Sequence, residues 1–143
     1  MSNLIYDNMS TNKGDEATLV NIRRTASENG YFRKEIWTGE HAQITVMSIP
    51  VGGEVGLEIH NEDDQILGIT FGVASVYTGE TKAGVKFIGN VNPNYLIVIP
   101  AGTWHNVINE GRSPLKLFSV YAPPHHPKGT VHKTKFESDL ADY

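Results

Sequence analysis

The sequence predicts an all-β fold of about eight short antiparallel strands closed into a sandwich or barrel, with an arm before it and a short tail after it. Three observations carry this. Between residues 31 and 122 the chain is a succession of short runs rich in Val, Ile, Thr, Phe and Tyr, residues that fit a pleated, half-buried surface. Clusters of Gly, Pro, Asn and Asp separate the runs and supply turn chemistry. Nothing in the span repeats its apolar residues at the 3.6-residue period of a helix.

Residues 1–30 are rich in Asn, Ser, Thr, Asp and Glu, with only Leu4-Ile5-Tyr6 and Leu19-Val20 to bury. They read as an N-terminal arm that packs on the barrel or on a partner. Residues 31–122 form the barrel, with strands expected at 32–38, 43–49, 56–60, 65–71, 74–77, 95–99, 105–109 and 115–122. The turns between them include Pro50-Val51-Gly52-Gly53, Thr78-Gly79-Glu80, Asn90-Val91-Asn92-Pro93-Asn94 and Pro100-Ala101-Gly102. An immunoglobulin-like sandwich, a lipocalin-like barrel and a double-sheet jelly roll all use short strands, and the strand count fits the jelly roll best. Residues 123–143 read as a C-terminal tail. Pro124 and Pro127 hold His125 and His126 in a stiff extended segment, expected as a surface loop or lid, and residues 136–143 are expected to form a short helix.

At 143 residues the chain fits one domain. A net charge of −4 with scattered basic residues disfavours nucleic-acid binding. The short basic stretch Lys128, His132, Lys133 and Lys135 is expected to be solvated. No apolar run approaches the roughly 18 to 20 residues of a membrane span, and the N-terminus has neither the charged nor the apolar region of a secretory signal. The cytoplasm is the expected compartment. Cysteine is absent, which excludes disulfides, thiolate ligands and a cysteine nucleophile. Any metal must be held by His, carboxylate or amide groups.

The residues that carry chemistry lie in two places. Alternation along a strand puts Glu58 and His60 on one face. After the turn Asn61-Glu62-Asp63-Asp64, taken as solvated, Gln65, Leu67, Ile69 and Phe71 share a face that reads as barrel interior headed by one amide. If 56–60 and 65–71 pair as a hairpin, Gln65 joins His60. In the second place, Pro100 closes a strand, Gly102 lets the chain turn, and His105 opens the next strand. Two imidazoles, a carboxylate and an amide oxygen suit a divalent Fe, Mn, Ni, Zn or Cu ion better than Ca or Mg. On these residues alone His60 also reads as a hydrogen-bonded structural histidine.

The spacing resembles the cupin superfamily. That family's first motif runs glycine, five residues, His-x-His, three or four residues, glutamate, six residues, glycine. Gly52 and Gly72 stand at its two glycines, Glu58 at the first histidine, His60 at the second and Gln65 at the glutamate. The second motif is matched by Pro100, Gly102, His105 and Asn109, with Asn94 in place of its leading glycine. Residues 56–65 and 121–135 are also similar to stretches of small single-domain cupins. The resemblance implies a double-stranded β-helix, the jelly-roll barrel, with one metal ion held by Glu58, His60, Gln65 and His105. Two of these positions depart from the family pattern: Glu58 replaces an imidazole and Gln65 a carboxylate. The total of two His and one carboxylate survives, as in non-haem iron sites.

Around that site Tyr121 shares a face with Leu115, Leu117 and Ser119, so its hydroxyl is either a cavity donor or general acid, or a satisfied core group. Glu58 is a ligand or, if unbound, a general base. Trp104 and Trp37 read as wall packing, Asn109 as a turn-fixing residue, and His125, His126 and His132 as a second histidine group. The functional expectation is a metal-dependent isomerase or oxidoreductase acting on a small polar molecule, resembling sugar-phosphate isomerases or dioxygenases, against a non-catalytic small-molecule binder. A homodimer is expected, with Phe118 and Val120 facing outward.

Overall fold

The structure, a computed structural model, describes residues 14–141; Leu4-Ile5-Tyr6 of the arm lies outside them. The elements are α1 (Ile22–Glu28), β1 (Arg33–Thr38), β2 (Gln43–Ile49), β3 (Asp64–Phe71), β4 (Ala74–Gly79), β5 (Lys86–Val91), β6 (Leu96–Ile99), β7 (Trp104–Ile108), β8 (Leu115–Ala122), β9 (Val131–His132) and α2 (Lys135–Leu140). Among the described residues none of these helices is long and apolar enough to cross a membrane.

The strands form a six-stranded sheet in the order β6-β3-β8-β2-β1-β9 and a three-stranded sheet in the order β5-β4-β7. Every pairing is antiparallel. Met47, Ile49, Leu67, Leu115 and Leu117 of the first sheet and Val76 and Val107 of the second belong to one buried cluster, so the two sheets close on a shared core. The all-β jelly-roll expectation holds.

Alternation decides which residues reach that core. On β2 the inward set is Gln43, Thr45, Met47 and Ile49, all buried, and the outward set contains Ile44 and Val46. Val46 is nonetheless fully buried, because Ala26 of α1 covers it together with Ile36, flanked by Ile22, Trp37 and Phe118. The helix starts at Asn21, whose side chain accepts from the Arg24 N–H, an N-cap. A seven-residue helix has little stability alone, which is why its sequence looks like an arm.

Several expectations are corrected. Residues 56–60 form no strand and do not pair with β3. The segment instead follows β7 by scattered bonds, Val55 N–H to Val107 O at 2.9 Å and Glu58 N–H to His105 O at 3.0 Å, with Gly56 N–H taken by the Asn106 side chain. Phe71 does not face the interior: a register shift between Ile69 and Phe71 in the β3–β8 ladder turns it outward, leaving it 52% exposed. Strand β5 was not expected; Phe87 and Ile88 are adjacent and both exposed, so no alternation marks it. The basic stretch is not a solvated tail throughout, since β9 pairs with β1 through Arg33 opposite His132. The expected terminal helix is present as α2, capped by Thr134, whose hydroxyl accepts from Glu137 N–H.

Candidate metal centre

Local backbone places each proposed ligand. Glu58 and His105 form a reciprocal bridge, with N–H to O distances of 3.0 and 2.9 Å in the two directions, and residues paired in this way project to the same side. Gly102, at φ +81°, turns the chain before β7, and its N–H donates to His60 O at 2.8 Å. The turn thus holds the His60 backbone beside the His105 strand. Gln65 comes from β3, where it lies opposite Ile99 and Tyr121.

The four side chains converge. Glu58 Oε1 lies 3.1 Å from His60 Nε2 and 3.5 Å from His105 Nε2, and Gln65 Oε1 lies 3.1 Å from His105 Nε2. Ligand atoms bonded at about 2.1 Å to one ion sit roughly 3.0 to 3.4 Å apart in octahedral or tetrahedral shells, so this spacing suits a first-row divalent metal. His60, Gln65 and His105 are buried and the Glu58 side chain is 26% exposed. His105 Nδ1 lies 2.9 Å from Thr103 O, an acceptor. A neutral His105 therefore carries its proton on Nδ1 and turns the Nε2 lone pair inward, the form a metal takes. The atoms facing one another are then electron-pair donors, and a cation among them satisfies them together. The residues fit the ion.

Electrostatics keep the carboxylate ready. Burial pushes the Glu58 carboxyl up, but in the metal-free site hydrogen bonding with His105 and His60, in the forms that carry a proton on Nε2, and the charges of His60 and Arg33 outweigh it and hold it well below the usual carboxylate range. Glu58 is an anion throughout the neutral range. Tyr121 is fully buried, with its ring edge-on to His60 at 5.7 Å and its hydroxyl 3.4 Å from His126 Nε2. Burial raises its hydroxyl; Arg33 opposes this and Glu58 adds to it. The phenol is neutral and can donate a proton from Oη.

The second histidine group is not a surface loop. His126 and His132 are buried, and the His125 ring packs on His60 with centroids 4.2 Å apart. Burial, helped by Arg33 and His125, pushes His126 down to about 2. Asp63 is not solvated either: it is 5% exposed, and its Oδ1 lies 3.3 Å from His125 Nδ1. His60, Asp63 and His125 form a second group of ligand atoms within 4.8 Å of one another, sharing His60 with the first. Beyond Asp63, sequence reasoning also missed Arg33 and Glu35. Both are buried on β1, and the alternation Arg33, Glu35 against Lys34, Ile36 was the available signal.

Trp104, expected at the barrel wall, is partly exposed, with Lys82 Nζ 5.8 Å from its ring centroid. Trp37 packs under α1. Asn109 fixes its turn as expected, donating to Ile49 O and Ser113 O at 3.0 Å and accepting from Gly111 N–H. In front of the centre opens a cavity of about 350 Å³ whose wall includes Arg33, Glu58, His60, His125, His132 and Lys135.

No family model matches the chain. It is 50% identical over 129 residues to the uncharacterized protein YrkC of Bacillus subtilis, covering 90% of this chain and 69% of that one. The crystal structure of BH2720 from Bacillus halodurans superposes on it with a TM-score of 0.88 at 48% identity, covering 92% of this chain and 99% of that one. An RmlC-like cupin family protein of Methanocaldococcus jannaschii with a double-stranded β-helix fold matches at TM-score 0.55 and 20% identity, over 64% of this chain and 78% of that one. A mutant of the Bacillus subtilis oxalate decarboxylase OxdC shares the fold at TM-score 0.56 and 16% identity, over 62% of this chain and 23% of that one. The chain thus belongs to one family with YrkC of Bacillus subtilis, and its fold is the double-stranded β-helix that the cupin neighbour shares.

Proposed function

We propose that this chain is a metal-dependent enzyme acting on a small polar molecule, with a divalent first-row metal held by Glu58, His60, Gln65 and His105. The observation that carries the reading is the convergence of electron-pair donors 3.1 to 3.5 Å apart around His105 Nε2, whose ring is oriented by Thr103 O. When bound, the ion would polarise a carbonyl or activate an oxygen species. Glu58 supplies the negative charge of the ligand set, and Gln65, held by its Nε2 donation to Ser119 Oγ at 3.2 Å, presents its amide oxygen. Tyr121 stands beside His60 as the proton donor at Oη. The barrel wall and the His125-His126 turn keep bulk water from the inner side of the centre. Isomerase and oxidoreductase chemistry are the reaction classes that the resemblance to cupins offers; the ligand set does not choose between them.

The test is elemental analysis of purified protein, melting with and without chelator, and a substrate screen. We expect about one equivalent of a first-row metal. H60A and H105A should each weaken metal binding by more than the roughly 10- to 100-fold typical of outer-shell losses. Protein with only trace metal and no chelator effect would refute the reading. Bound metal with no turnover in the screen would leave a small-molecule binder.

We further propose a homodimer. Ile66, Leu96 and Val98 are exposed on the outer face of β3 and β6, next to Val120 of β8. Phe118 is largely committed to the contact under α1. Light scattering after size exclusion decides it, a monomer at micromolar concentration counting against it.

A further inference from the structure

We infer that the cavity in front of the centre is a subsite for a small oxyanion, a carboxylate or phosphate group of the ligand, received by Arg33. This rests on the proposed metal site for the ligand's second attachment, while the anion contact stands on Arg33 itself. Arg33 lies on the inner face of β1, is 3% exposed, and forms part of the cavity wall. Its Nη1 is engaged, 3.3 Å from His132 Nδ1 and donating to Ser138 Oγ at 2.6 Å. Nη2 meets only the Met47 sulfur at 4.0 Å, and Nε is buried with no hydrogen-bond partner. Nε and Nη2 make up the edge of a guanidinium that receives an oxyanion bidentately.

No carboxylate among the described residues forms an ion pair with this guanidinium. Glu35, two residues along the strand, accepts from Thr38 Oγ1 and Gly129 N–H. Asp139 in the same wall is paired with Lys135 at 2.9 Å, so those two charges cancel. Glu58 in the wall and the buried Glu35 behind it set two negative charges against Arg33, and a divalent ion would still leave positive charge in surplus. A buried cation without a matching anion is costly. A bound oxyanion removes that cost, and the cavity volume of about 350 Å³ lies in the range of small-molecule sites.

The experiment is calorimetric titration of malonate, inorganic phosphate and uncharged malonamide into metal-free and metal-loaded protein, as wild type, R33Q, R33K and the exposed-site control K128Q. Malonate or phosphate should saturate wild type and K128Q, and malonamide should not. R33Q should weaken binding by roughly tenfold or more, the loss expected for a charge-assisted hydrogen-bonded contact, and R33K should fall between. Whichever oxyanion binds tighter identifies the ligand's group. Equal affinity in wild type and R33Q, or malonamide binding as well as malonate, overturns the inference. If R33Q does not fold, R33K and the melting shift of wild type with malonate against malonamide decide it in the same way. Metal bound without any anion preference would sink this inference and leave the proposed function standing; Arg33-dependent anion binding to a protein that takes no metal would do the reverse.

Discussion

At His105 the position of one proton governs the site. Thr103 O takes Nδ1–H, so Nε2 faces Glu58 and Gln65 as a lone pair, and the ring is oriented for the proposed ligand role before any ion arrives. The amide at Gln65 is the weak member of the set, because a neutral oxygen attracts a cation less than a carboxylate does. Q65E should therefore tighten metal binding, by about tenfold or more if the new charge reaches the ion, as measured by competition with a chromophoric chelator; unchanged affinity would place residue 65 outside the ligand set. The sequence marked these four positions through motif spacing, which is local. It did not mark Arg33: the alternation of β1 puts Arg33 and Glu35 on one face, but only contacts with distant segments show that this face is the buried one.

Among the elements, the turn after β7 depends on one side chain. Asn109 is fully buried and bonds Ile49 O, Ser113 O and Gly111 N–H. N109A leaves those groups unpaired, and the expected loss is about 2 to 4 kcal/mol, read from urea denaturation at constant slope; a change below about 0.5 kcal/mol would mean that water replaces the amide. Residues 56–60 show where element reading failed. Their alternation is that of a strand, yet Gly56, at φ +109°, and the Asn106 side chain interrupt the ladder. The ligand geometry survived the error because the Glu58–His105 bridge projects the two side chains together.

For the whole molecule, the return of the chain after Ala122 couples stability to pH. His126 is held near 2 against an ordinary 6.5 by burial, and His125 and His132 are lowered for the same first reason. A depressed folded value means that the unfolded chain binds more protons below about pH 6.5, so stability is present above that pH and is lost as pH falls toward the folded values. From His126 alone, going from about pH 7.5 to about pH 5.5 should cost about 1.4 kcal/mol, a fall in Tm of about 4 °C for a domain of this size. Metal-free protein is the right sample, so that ligand protonation does not contribute. A melting temperature independent of pH over that interval, or an unchanged slope in H126N, would show that the histidines are solvated.

The sequence by itself determined the strands with clear alternation and the turns, through period-two patterning, and it pointed to the proposed ligands Glu58, His60, Gln65 and His105 through the short fixed spacings of the cupin resemblance. Only the tertiary structure decided what surrounds them. The bulge that turns Phe71 outward, the burial of Val46 under α1, the pairing of His132 with Arg33 across 99 positions of chain, and the packing of His125 on His60 all depend on contacts between segments distant in sequence. Whether a charged side chain is a solvated ornament or a buried group facing a cavity is set by those distant contacts, and no local pattern in the chain records them.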